Sequence, residues 1–172
     1  MNGALLLIPL LLIRFGLLGV LDKDGLKRAA YFAPLVGMEK AAYWVYQISN
    51  TVFFVYLFFL KIRSDSDWFY TGIAVYGFGI LLCTASVLAF AKPAENGINR
   101  NGFYRISRNP MYVAFFVYFL GCVLLTRSLL LLAILLVFQF SAHWIILSEE
   151  RWCIKKFGVA YRNYMSRVRR YL

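Results

Sequence analysis

The sequence predicts an all-α integral membrane protein. It is read as a single domain of about five transmembrane helices, with a polar site at the cytoplasmic face and an amphipathic C-terminal helix. Three observations lead there. Of the 172 residues, 62% are hydrophobic and 19% aromatic, and the mean hydropathy is +0.66, whereas a soluble domain is rarely more than about half apolar. Several windows approach the roughly 18 to 20 apolar residues that cross a bilayer. Those runs are continuous rather than alternating, so the spans are helices that satisfy their own backbone and not strands of a barrel.

The first span covers about residues 3–21, GALLLIPLLLIRFGLLGVL. Arg14 lies well inside it, where a charge costs at least roughly 2.5 kcal/mol. It is expected to face protein or water, either bonding carbonyls or standing near a ligand. Residues 22–40 form a charged connector whose apolar piece, Ala29 to Gly37, contains Pro34 and is too short to span. The second span, about 41–60, is rich in Tyr and Phe, and KIRSDSD is a polar turn. The third, about 68–91, carries Gly72, Gly77 and Gly79, small residues that let helices approach closely. Trp68 and Tyr70 fall where an aromatic belt sits.

Residues 92–110 are the longest polar connector. Pro93, Asn96-Gly97 and Asn101-Gly102 are turn chemistry, and such a loop offers free backbone groups to a ligand. The fourth span is about 111–126 and the fifth about 129–147. The minimal link Thr126-Arg127-Ser128 makes them antiparallel. Beyond them, Phe157, Tyr161, Tyr164, Val168 and Tyr171 recur at steps of four and three, one narrow helical face. Lys155, Lys156, Arg162, Arg167, Arg169 and Arg170 lie away from it. That is a basic amphipathic helix, lying on the bilayer or against the loops, with a bend at Gly158.

The net charge of +11 comes with no nucleic-acid motif. It is better read as positive-inside bias and attraction to anionic lipids. With five spans, fifteen Lys and Arg fall on one side against three on the other. This puts the N-terminus outside and the C-terminus in the cytoplasm. No basic leader with a small-residue cleavage site is evident, and a prokaryotic plasma membrane is the expected location. Cys83, Cys122 and Cys153 lack metal or redox spacing, so no metal is expected.

Orientation brings two polar groups to one surface: Tyr104, Arg108, Asn109, Pro110 and Tyr112 before the last hairpin, and His143, Glu149 and Glu150 after it. Carboxylates beside aromatics suit a ligand that carries positive charge and hydroxyls. Arg108 can pair with a glutamate or hold a carboxylate. The same groups would also serve as a cap for two helix ends. A lone histidine such as His143 is more often a buried hydrogen-bonding residue than a ligand. Dinucleotide, P-loop, zinc-protease and serine-hydrolase motifs are absent.

The runs GFYRISRNPMY and EERWCIKKFGVAYRNYMSRVRRY resemble the C-terminal core of the isoprenylcysteine carboxyl methyltransferase and phospholipid methyltransferase superfamily, over about residues 96–171. The resemblance implies a small multi-span enzyme that binds S-adenosylmethionine on the cytoplasmic side. Its acceptor would be lipophilic: a prenylcysteine carboxylate, a phospholipid amine or another small hydrophobic molecule. Carried over, it places the cofactor at Asn96, Gly97, Ile98, Asn99, Tyr104, Asn109, Pro110, Met111, Tyr112 and Glu150. Arg108 and Glu150 are the expected catalytic residues, and His143 and Glu149 the expected substrate contacts. Asn109 stands where the best-known members have histidine, and Ile146 where prenylcysteine enzymes are expected to have arginine. The same stretch is similar to the end of NADPH-dependent sterol reductases. A non-enzymatic membrane adaptor is a third reading.

Overall fold

The computed structural model describes residues 1–65, 67–92 and 97–172. The chain is all-α, and among the described residues extended pairing is confined to two isolated bridges, Asn2 with Lys61 and Ser107 with Arg169. We number the helices in chain order. Helix α1 (Gly3–Leu21) is composite: a 3-10 turn over Gly3–Leu7, α-turns at Ile8–Leu11 and Leu18–Leu21, and a π-helical segment over Leu12–Leu17. Then come α2 (Gly25–Ala30), α3 (Met38–Leu57), α4 (Trp68–Phe90), α5 (Pro110–Thr126), α6 (Leu129–Phe157) and α7 (Val159–Met165).

Three of these, α1, α4 and α6, are long and apolar enough to cross a membrane. Helix α5 is apolar but has 17 residues. Helix α3 has 20 residues yet carries Glu39, Lys40, Gln47, Ser49 and Asn50, which lower its hydropathy. Two boundaries differ from the sequence expectation. Helix α6 continues past residue 147 to Phe157, because Glu, Arg, Lys, Trp and Cys interrupt hydropathy without interrupting a helix. It stops where Gly158 takes φ +56°, a conformation favourable only to glycine. Helix α7 has only seven residues, so the expected tail helix is short. Its aromatic face points inward: Tyr161 and Tyr164 are buried against Ile98.

Helix α4 packs along α5, and α3 along α6. The α4–α5 contact is made by reciprocal notches. A Cβ on Gly79 would lie 2.5 Å from the Tyr118 Cα, and one on Gly121 would lie 2.5 Å from the Tyr76 Cα. Only glycine admits that approach, the small-residue packing of membrane helices. Gly72 abuts Leu125 in the same seam, whereas Gly77 faces open space. The tyrosines so placed both donate to the Leu6 carbonyl, Tyr76 at 2.8 Å and Tyr118 at closer range. They thereby satisfy a carbonyl in the tight first turn of α1. Phe53, Phe119, Phe138 and Tyr46 knit α3, α5 and α6 together, with ring centroids 4.5 Å apart for Phe53–Phe119 and 4.7 Å for Tyr46–Phe138.

Large apolar side chains also cover the outside: Leu12, Phe15, Trp44, Ile48, Leu81, Leu129 and Phe140 are exposed. A soluble monomer rarely shows such a surface, but lipid tails solvate it. The two ends of the bundle are distinct. At one, Gly3 N–H donates to Leu60 O, Ile62 N–H to Met1 O and Arg63 N–H to Leu125 O. At the other end the loop from Gly97, the start of α5, the end of α6 and the C-terminal residues converge on α2.

Candidate functional site

The converging end is built around one carboxylate. Pro110 starts α5, where its missing N–H costs nothing, and this fixes Arg108 and Asn109 just before the helix. Arg108 N–H donates to Arg169 O at 2.9 Å. The Asn109 side chain donates to Arg170 O at 3.1 Å. The C-terminal segment is thus laid beside the loop, at the Ser107–Arg169 bridge. The Arg108 guanidinium then reaches Glu150 Oε1 at 3.0 Å, with side-chain exposures of 8% and 5%. From the other side Arg170 reaches Glu150 Oε2 at 2.9 Å. Burial of a carboxylate is tolerable only with such pairing, and Glu150 has two cations.

Glu149, its neighbour, is different. Its Oε1 accepts from the Tyr112 hydroxyl at 3.0 Å, and among the described residues it forms no ion pair. It faces a cavity of about 520 Å³, within the roughly 300–1,000 Å³ of small-molecule sites.

The predicted loop residues Gly97, Ile98, Asn99 and Tyr104 line this cavity. So do Arg108, Asn109, Met111 and Tyr112 from the start of α5, and both glutamates. Asn96 lies outside the described residues. Pro110 is buried in the first turn of α5 without lining the cavity. His143 does not line it either: its Nδ1 is 2.6 Å from the Tyr171 hydroxyl, so it holds the C-terminal segment. Asn99 Oδ1 is buried with no hydrogen-bond partner among the described residues.

The tyrosines around the loop are neutral donors. Burial pushes the Tyr104 hydroxyl up and that of Tyr164 up to about 12. Tyr164 donates to Tyr104 O at 2.6 Å, setting the loop's height above α7.

Part of the wall had no signal in the sequence. Phe32, Tyr46, Phe90 and Trp152 come from separate elements. The connector 31–36 roofs the cavity because Arg151 grips it, donating to Pro34 O at 3.2 Å and to Glu39 Oε2 at 2.6 Å. Glu39 in turn accepts from Val36 N–H at 2.8 Å, and Tyr31 packs on Trp152 at 5.5 Å. Arg14 lines the cavity as well; its only signal was a charge inside an apolar run.

An apolar helical bundle with a polar, aromatic-walled cavity at one end defines a membrane protein with a small-molecule site. The sequence model of the phospholipid methyltransferase family matches residues 68–160, just over half of the chain. The chain belongs to that family of membrane methyltransferases, part of the superfamily that includes the isoprenylcysteine carboxyl methyltransferases. No curated protein and no solved structure matches it. The matched stretch runs from α4 into α7, so the lining residues of α1, α2, the connector after it and α3, together with Tyr161 and Tyr164 of α7, lie outside it.

Proposed function

We propose that this protein transfers a methyl group from S-adenosylmethionine to a lipophilic acceptor at the cytoplasmic face of a prokaryotic plasma membrane. It would do so in a five-span arrangement with its N-terminus outside. The observation that carries this reading is Glu149, a carboxylate without a cation in an aromatic cavity. Such a site favours a cationic ligand. The residues fit the cofactor: the cavity has the volume, Glu149 an acid with no cation beside it, and Asn99 a buried acceptor awaiting a hydroxyl or amine. When bound, S-adenosylmethionine supplies an electrophilic methyl on a sulfonium.

The chain's own residues do the rest. Glu149 balances positive charge at the cavity wall. The loop 97–104 and the start of α5 offer backbone and amide groups. Arg108 and Arg170 lock Glu150, and with it the end of α6 and the C-terminal segment. Asn109 cannot carry a proton and is engaged with Arg170 O, so it orients and does not act as a base. Arg14 and Phe115 carry the cavity into the apolar reach of α1 and α5, the direction from which a lipophilic acceptor comes. Alignment in a water-poor pocket supplies much of the rate in such a transfer.

The first test is thermal unfolding of the detergent-purified protein with S-adenosylhomocysteine, with NADPH and with neither. A ligand at a hundred times its dissociation constant stabilises by about 2.7 kcal/mol, and S-adenosylhomocysteine is the expected one. A response to NADPH alone would replace this reading with the reductase, and a response to neither with the adaptor. A sharper result is expected for Glu149→Gln, which keeps a partner for Tyr112. It should weaken the charged S-adenosylmethionine about tenfold more than the uncharged S-adenosylhomocysteine, about 1.4 kcal/mol of a charge-assisted contact. Calorimetric titration of both ligands reads this; an unchanged affinity ratio removes Glu149 from the sulfonium.

A further inference from the structure

Helix α1, outside the family-matched residues, sends one charged side chain into the cavity. Arg14 sits in the π-helical segment Leu12–Leu17, where the Leu18 N–H reaches back five residues to Ile13 O. Such widened turns recur at functional sites. Its Nη2 donates to Ala29 O at 3.3 Å, and its guanidinium lies 5.3 Å from the centre of the Phe115 ring. Among the described residues it has no carboxylate partner. The cavity's own free acid is bonded to Tyr112 and not to Arg14.

A guanidinium has five N–H donors, and these contacts use few of them. Ionisable groups at membrane depth face cavities and partners because lipid solvates them poorly. The other two cations of this wall have their own acids, Arg28 with Asp22 and Lys27 with Asp24, and both line the same cavity, so the acids nearby are taken. That wall therefore carries net positive charge beside the aromatic rings of Phe32, Phe90 and Phe115.

We infer that Arg14 binds the anionic group, a carboxylate or a phosphate, of an amphiphilic methyl acceptor whose chain lies against these rings. The inference rests on the methyltransferase reading for the acceptor's role. It divides the cavity: a positive wall from α1 and α2 for the acceptor, and Glu149 for the sulfonium. Guanidinium geometry suits either oxyanion, because it presents two parallel N–H groups.

The test is thermal unfolding in an uncharged detergent with dodecyl phosphate, dodecanoate, dodecanol and inorganic phosphate. One or both anionic amphiphiles should stabilise the native chain more than dodecanol does, and the stronger names the oxyanion. Inorganic phosphate should do little. In Arg14→Gln the apparent affinity for the preferred anion should fall about tenfold or more. Arg14→Lys should keep part of it, and Arg167→Gln, an exposed control, all of it. The S-adenosylhomocysteine response should survive in Arg14→Gln. The inference is overturned if the native chain does not distinguish anions from dodecanol, if inorganic phosphate works as well as dodecyl phosphate, or if both Arg14 variants keep the full preference. Loss of folding in Arg14→Gln leaves Arg14→Lys to decide. If S-adenosylhomocysteine fails on the native chain while the Arg14-dependent anion response stands, the methyltransferase reading fails and the anion site remains.

Discussion

Glu150→Ala is expected to abolish the response to S-adenosylhomocysteine and to lower the melting temperature of the free protein. Glu150 is 4% exposed and is shared by Arg108 and Arg170. Removing one partner of a buried pair costs about 3–5 kcal/mol, because a buried cation is left uncompensated. Here Arg108 is that cation; Arg170, with its side chain 32% exposed, can turn to water and adds little. The loss would not stay local. Arg108 and Asn109 are tied to the carbonyls of Arg169 and Arg170, so the loop edge and the C-terminal segment loosen together. Glu150→Gln keeps the shape and a carbonyl acceptor and should lose less on both counts. Thermal unfolding of the three proteins with and without ligand measures this. Full ligand response in Glu150→Ala would remove Glu150 from the site.

The second large effect lies in the membrane. Gly121→Ala is expected to destabilise the bundle by about 1–3 kcal/mol or more. The added Cβ would meet the Tyr76 backbone, with Cα at 2.5 Å and N at 2.6 Å. Backbone cannot rotate aside, so α4 and α5 must separate. Separation also pulls Tyr76 and Tyr118 from Leu6 O, which releases the start of α1. Gly77→Ala on α4 is the control: nothing lies within 4 Å of its Cβ, and alanine is better in a helix than glycine by about 1 kcal/mol. Unfolding in one detergent should therefore move in opposite directions for the two variants. Equal effects would mean that helix propensity, not the notch, governs this seam.

Much of this was legible in the chain itself, for reasons that particular residues make plain. Apolar runs announce α1, α4, α5 and α6 because lipid accepts little else. Gly72 and Gly79 pointed to a close helix seam, but the opposing Gly121 was silent. One glycine in an apolar run does not say which helix it will meet. The end of α6 was hidden because hydropathy falls at Ser148 while the helix goes on to Phe157. The polar ends of the last hairpin were visible as Arg108, Asn109, Tyr112, Glu149 and Glu150, and the structure brings them to one cavity wall. The division of labour between the glutamates was not visible. It depends on the Arg170 side chain arriving from the C-terminal segment. The partners of Asn109 and Arg108 there are backbone carbonyls, which every residue has and no sequence marks. His143 likewise depended on where Tyr171 would fall.

The length of α5 has a consequence for the bilayer itself. Its 17 residues reach about 25 Å at 1.5 Å each, short of the roughly 30 Å hydrocarbon layer. In the proposed five-span arrangement local thinning of the membrane around α5 would meet the mismatch. Asn109 to Tyr112, at the start of this helix, would then lie below the level of the surrounding headgroups. The proposed acceptor, drifting laterally, would meet the cavity at the depth it already occupies. Little of its tail would have to leave the oil, and the work of extraction that a water-side enzyme performs would be carried by the deformed sheet of lipid instead.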